Sequence, residues 1–238
     1  MLTIQICLFC WLWTALYSPD SPAGPAEARI MVTYATLALL LSRIRWFDRI
    51  TTHESLPMRV REGTIAYWFV RPVSPHRYYF LRSVGEALFG SCLALFGVLV
   101  AALFGAVHGP PNLFTGLVSL LSVVLGQFIL YYLAMVIDLM CFWLIANDSV
   151  KYIYSFTQDL FSGVFIPLWL FPGWLAFLAE LLPFKATIYQ PLAIYLGRIP
   201  LSQAPGVLLW QCAWCVFLAV LVRVLWYLAG RRVVVQGG

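Results

Sequence analysis

Few residues in this chain have the type and spacing to do chemistry, and those few sit in apolar surroundings. Cys7 and Cys10 form one CxxC pair, and Cys212 and Cys215 form another. In a soluble chain, two such pairs would suggest a zinc site or a redox dithiol. Here both lie inside apolar runs, with Leu-Phe and Ala-Trp between the sulfurs and no His or carboxylate beside them. A metal site needs that second shell, so the cysteines read as small hydrophobes and no metal is expected. No GxxxxGK[ST] loop is present to cradle phosphates, and neither HExxH nor GxSxG occurs. His53, His76 and His108 are scattered over predicted loops. The sequence therefore predicts no enzyme, no catalytic residue and no cofactor on this chain.

Asp138 and Arg223 are the ionisable residues that fall inside predicted membrane spans, with Glu86 and Asp159 near span ends. Charges in lipid are costly, so they pair with each other or line a wet cavity. One reading makes Asp138 and Arg223 part of a translocation path for substrate or protons. The other makes them structural ion pairs, or side chains that snorkel to the interface.

The elements that must position these residues are membrane helices. Of the 238 residues, 62% are hydrophobic and 11% charged. A soluble domain carries about 25% charged residues. The apolar segments are continuous, where a membrane barrel would alternate. Their length suits helices crossing roughly 30 Å of hydrocarbon. The predicted class is an all-α polytopic membrane protein with six spans, forming a single transmembrane domain over residues 1–238. The spans are expected near residues 2–17, 30–41, 84–107, 113–145, 152–171 and 206–229. Residues 1–17 lack the basic start and cleavage site of a signal peptide, and so read as the first span. Gly97, Ala101 and Gly105 recur at spacing four in the third, a small-residue face of the kind that lets membrane helices approach closely.

Basic residues set the orientation. The stretch 43–82 holds Arg43, Arg45, Arg49, Arg59, Arg61, Arg71, Arg77 and Arg82. With Lys151, Arg231 and Arg232, that side has eleven Lys and Arg; the other has Arg29, Lys185 and Arg198. The positive-inside rule then places the stretch and both termini in the cytoplasm, in a cell inner membrane. The net charge of +5 belongs to this pattern and implies no nucleic-acid partner. Between the fifth and sixth spans the chain is apolar but broken by Pro172, Pro183, Pro191, Pro200 and Pro205. Pieces of about ten residues are too short to span, and suit re-entrant or interfacial helices on the outer side. The aromatic content of 16%, with Trp169, Trp174, Tyr189 and Tyr195 in this segment, fits an interfacial belt.

Residues 58–70, MRVREGTIAYWFV, stand apart inside the basic stretch. Arg59, Arg61 and Glu62 are polar; Ile65, Trp68 and Phe69 are apolar; Arg71-Pro72 ends the segment. This predicts a short amphipathic helix along the cytoplasmic face. Two readings stay open: a helix held on lipid headgroups, or a docking element that receives force from a soluble engine.

REGTIAYWFVRPV at 61–73, SGVFIPLWLFP at 162–172, LPF at 182–184, QPLAIYLG at 190–197 and the closing RRVVVQGG recur in that order. Together they resemble the ABC-2 family of transporter permeases over nearly the whole chain. The resemblance implies six spans per subunit and a dimer with a second permease, identical or different. It also implies cytoplasmic ATP-binding cassette subunits that hold ATP and Mg. It places a coupling helix at residues 54–72, with Arg59, Arg61, Glu62, Gly63, Arg71 and Pro72 as the coupling residues. Re-entrant outer helices follow the fifth span, with Pro167, Pro172 and Pro183. Members of the family usually open with an amphipathic cytoplasmic segment. Here the first span begins at once, implying a start further upstream or a reduced cytoplasmic collar. The expected function is an ATP-driven exporter of hydrophobic or amphipathic substrates. An ion-coupled secondary transporter and a non-transporting membrane scaffold are the rival readings.

Overall fold

Proline, glycine and asparagine punctuate the apolar sequence, and the helices begin and end at them. In the computed structural model, residues 8, 11, 12, 15, 24–44, 56–69, 72, 74–144 and 148–232 are described. Most of the expected first span, and Arg71, lie outside them. The described residues form helices and turns with no strand: α1 Gly24–Ser42, α2 Leu56–Arg61, α3 Ala66–Phe69, α4 Pro75–Leu103, α5 Leu113–Leu139, α6 Asp148–Ser162, α7 Gly173–Leu181, α8 Tyr189–Tyr195 and α9 Ala204–Gly230. Single 3₁₀ turns cover Met140–Phe142, Leu168–Leu170 and Pro183–Ala186.

Three of these are long and apolar enough to cross a membrane: Pro75–Leu103, Leu113–Phe142 and Ala204–Gly230. Most of their large exposed side chains are apolar, such as Leu88, Phe96, Leu117, Leu120, Leu209 and Val220, as lipid-facing surfaces require. The helix bounds revise the expected spans. α4 begins at Pro75, nine residues before the predicted start at Val84, because the aromatic run Tyr78–Phe80 packs on the helix bundle. α1 begins at Gly24, ahead of the predicted start at Ile30. α6 stops at Ser162, short of the predicted Phe171, where Gly163 takes φ +86° and the chain turns. At 15 residues, α6 is about 22 Å long.

Two antiparallel or parallel pairings organise the bundle. α1 packs antiparallel on α4: Thr33 lies at Ala106 and His108, Leu40 at Gly97 and the Ile44 backbone at Gly90. A Cβ at Gly90 would stand 2.0 Å from the Ile44 carbonyl oxygen, so only glycine admits this approach. The stripe on α4 is therefore Gly90, Ala94, Gly97 and Ala101, two of which the spacing-four pattern missed. Gly105, expected on that stripe, instead ends the helix at φ +71°. Ala106 N–H donates to the Ala101 carbonyl at 2.9 Å and Gly105 N–H to that of Ala102 at 3.0 Å, a Schellman closure. The turn then runs to Asn112, whose side chain accepts from Thr115 N–H at 2.8 Å and starts α5.

α5 and α9 run parallel and pack along most of their length. Ser122 meets Gln211, Leu125 meets Cys215, and Ile129 shares a cluster with Leu218. One end of the bundle carries α2, α3, the start of α4 and the ends of α5 and α9. The other carries the 105–112 turn and the segment after α6.

Candidate functional site

The segment between α1 and α4 builds the first candidate site. The expected single amphipathic helix over 58–70 is two short helices, because Gly63 at φ +70° breaks it and residues 62–65 form a turn. Ile65 N–H returns to the Arg59 carbonyl at 3.1 Å, and Thr64 Oγ1 donates to the same oxygen at 3.3 Å. The turn faces Leu56, Ile65 and Trp68 inward, each under a tenth exposed, while Arg61, Glu62 and Gly63 are exposed. The three apolar residues join one cluster with Tyr79 of α4, Tyr131, Met135 and Leu139 of α5, and Val222, Trp226 and Ala229 of α9. Leu56, Ile65 and Trp68 thus rest on the ends of all three long helices.

Two cations fix this unit. The Arg59 guanidinium lies 4.5 Å from the Trp68 ring centroid and 5.9 Å from that of Tyr78. Arg61 Nη2 donates to Asp148 Oδ2 at 2.8 Å, joining α2 to the start of α6. That bond holds the exposed Asp148 carboxyl below the usual carboxylate range. Pro72 is exposed beyond α3, ahead of Ser74 and Pro75 at the start of α4.

Asp138 and Arg223 are not brought together. Asp138 pairs with Lys151 at 2.7 Å, at the α5 end that meets α6. Arg223 stands on the exposed side of α9, next to fully buried Val222. The alternating charges Arg61, Asp148, Lys151 and Asp138 instead form a ladder from α2 through α6 into α5.

The proline-rich segment, expected as short re-entrant or interfacial helices, forms a second site. Pro167 and Pro172 precede the Leu168–Leu170 turn and α7, and Pro183 opens the Pro183–Ala186 turn. The prolines start the pieces, as their fixed φ favours. Trp169 lies at the end of the bundle that carries the 105–112 turn, where the Arg198 guanidinium stands 5.1 Å from its ring. From there α7 descends, residues 183–188 turn, and α8 climbs back. Pro191 carbonyl accepts from Ser119 Oγ at 2.8 Å, and Tyr195 OH donates to the His108 carbonyl at 2.9 Å. At the tip, a Cβ on Gly126 would stand 2.7 Å from the Ala186 carbonyl oxygen. Gly126 is the middle residue of α5, so α7 and α8 form a hairpin whose tip reaches halfway along that helix.

Non-helical backbone at that depth must be buried and hydrogen bonded. Residues 183–188 are all buried. The fully buried Gln211 Nε2 donates to the Ala186 carbonyl at 2.9 Å, while Gln211 Oε1 accepts from Ser122 Oγ at 3.0 Å. Thr187 Oγ1 donates to the Phe184 carbonyl at 2.7 Å. Lys185, counted in the sequence with Arg29 and Arg198 on the less basic side, sits in this tip and pairs with Glu180. Gln211, Ser122, Gly126 and Glu180 carry no signal in the sequence beyond being polar or small within apolar runs.

Among the described residues, no three of His, Cys, Asp or Glu stand together as a metal would require. Neither a curated protein nor a solved structure matches the chain. A family model does, described as ABC-2 family transporter protein and aligned over residues 26–237. That span takes in both candidate sites and all three long helices, and the chain belongs to the ABC-2 family of transporters, as a membrane permease.

Proposed function

We propose that this permease is the membrane half of an ATP-driven exporter for hydrophobic or amphipathic substrates. ATP and Mg are held by separate cytoplasmic ATP-binding cassette subunits. The observation that carries this reading is the packing of α2 and α3. Their apolar side chains grip the ends of α4, α5 and α9, while Arg61, Glu62 and Gly63 stay exposed. A push on that exposed edge reaches three long helices through one cluster and α6 through Arg61–Asp148. Arg59 braces the unit from within, Pro72 stands exposed beyond α3, and Arg71, expected beside it, lies outside the described residues.

The same end carries most of the basic residues, which supports placing it in the cytoplasm with both termini. The re-entrant hairpin then opens from the outer side, in an inner membrane crossed six times. A second permease, identical or different, completes the translocation path, and the whole chain acts as one transmembrane domain. Asp138, bound to Lys151 near the cytoplasmic end, offers an ion-coupled mechanism little support.

The deciding experiment reconstitutes the permease with its ATPase in lipid. Glu62→Arg, or deletion of residues 58–70, is expected to abolish coupled transport. Intact assembly and transport in both variants would remove the coupling assignment.

A further inference from the structure

The hairpin tip carries two charges that force transmission leaves unused. Lys185 Nζ donates to Glu180 Oε2 and lies 4.7 Å from the Trp210 ring centroid of α9. The neighbouring residue, Ala186, meets the middle of α5 at Gly126, so the pair sits at membrane depth. Its two members differ sharply in cover. The Lys185 side chain is 7% exposed, that of Glu180 66%.

An exposed carboxylate at this depth is costly against hydrocarbon, and ionisable groups there face a bundle interior or a water-filled cavity. A purely structural lock would cover the carboxylate as fully as the ammonium. Glu180 instead shares its face of α7 with exposed Trp174, Phe177 and Leu181. Phe177 is three residues from both Trp174 and Glu180, the spacing of helix-surface neighbours. The face thus offers one accessible negative charge beside two aromatic rings.

We propose that this face of α7 lines the translocation path, and that Glu180 takes the charged end of a lipophilic cation. The ligand's hydrocarbon body lies on Trp174 and Phe177. The inference rests on the permease reading above and names the substrate class of that path. Lys185 occupies one carboxylate oxygen, Oε2, and holds the group in place. The other oxygen is left for the ligand, and aromatic faces add attraction for a cation. An anion of the same shape meets only the carboxylate, because the ammonium is buried.

The test titrates the full chain in lipid nanodiscs with tetraphenylphosphonium, using empty discs as background and tetraphenylborate as the anion of matching shape. Saturable phosphonium binding is expected, about tenfold weaker in Glu180→Gln, the loss of one favourable contact of ~1.4 kcal/mol. Tetraphenylborate is expected not to bind above background. Lys185→Met frees the second oxygen and is expected to tighten phosphonium binding. Equal phosphonium affinity in Glu180→Gln overturns the proposal, as does equal binding of the borate. Loss of phosphonium binding in a folded Lys185→Met chain also overturns it, making the pair a pin for the hairpin. Binding is read without ATP or partner, so its failure leaves the coupling assignment standing. Failed coupling in the Glu62 variant with phosphonium binding intact removes only that assignment.

Discussion

Arg61 at the end of α2 donates to Asp148 at the start of α6 at 2.8 Å, across 87 residues of sequence. One turn further along α6, Lys151 grips Asp138 of α5 at 2.7 Å. The exposed edge of residues 56–69 is thereby tied to α6, and through it again to α5. The Arg61 and Asp148 side chains are both solvent-exposed, so the pair contributes little to stability, and its proposed role is to fix where α2 pulls. Arg61→Glu is expected to leave the fold intact and to lower transport per ATP hydrolysed. Adding Asp148→Arg restores the attraction and is expected to restore coupling. Normal coupling in the single variant would end this role for the pair.

The same pair sets a pH dependence. Arg61 depresses the Asp148 carboxyl below its unfolded value. A group with a depressed folded pKa stabilises above its ordinary range, and that contribution fades as pH falls through the folded value. Asp148→Asn should therefore lower the melting temperature slightly at neutral pH. Below the usual carboxylate range, the two proteins should melt together. Melting curves of the detergent-solubilised chain at both conditions measure this.

Glycines in the bundle separate close approach from open surface. An added Cβ at Gly90 or Gly126 meets a backbone carbonyl oxygen at 2.0 Å or 2.7 Å, while at Gly85 nothing lies within 4 Å. Gly90→Ala and Gly126→Ala are expected to lose about 1–3 kcal/mol through forced backbone shifts. Gly85→Ala should gain up to about 1 kcal/mol from helix propensity. Chemical denaturation of the three variants reads the difference, and equal stabilities would contradict the packing.

Gln211 holds the hairpin tip from α9. Gln211→Leu leaves the buried Ala186 carbonyl and Ser122 hydroxyl without their partner. A loss of about 1 kcal/mol is expected, between the averages for membrane and soluble hydrogen bonds. Hydrogen exchange or protease access at residues 183–188 should rise in that variant and stay unchanged in a surface control such as Leu209→Ala.

Gly63 tests the turn alone. No atom lies within 4 Å of its missing side chain, and its φ is +70°. Gly63→Ala should cost about 1–2 kcal/mol of local backbone strain with no clash. The expected readout is faster amide exchange at Ile65 and Trp68, with the distant α5–α9 pairing unaffected.

Much of this protein was legible in its residue order. Continuous apolar runs can only be membrane helices when so few charges accompany them, and the uneven Arg placement marks one end. MRVREGT next to IAYWFVRP announced an amphipathic element, and the prolines after α6 announced short pieces. These are local properties: hydrophobicity, charge and the backbone limits of proline and glycine act within a few residues. Tertiary structure alone decided the rest. Gly63 split residues 56–69 into two helices because its turn let Ile65 and Trp68 reach the common cluster. Asp138 chose Lys151 and not Arg223 because α6 begins beside the end of α5, whereas Arg223 faces outward. Lys185 stands at mid-helix depth because Gly126, Ser122 and Gln211 make room and hydrogen bonds for the tip. Those partners lie up to 89 residues apart, and no local spacing encodes which helix faces will meet. Packing decides that, since each buried polar group must find a partner once lipid excludes water.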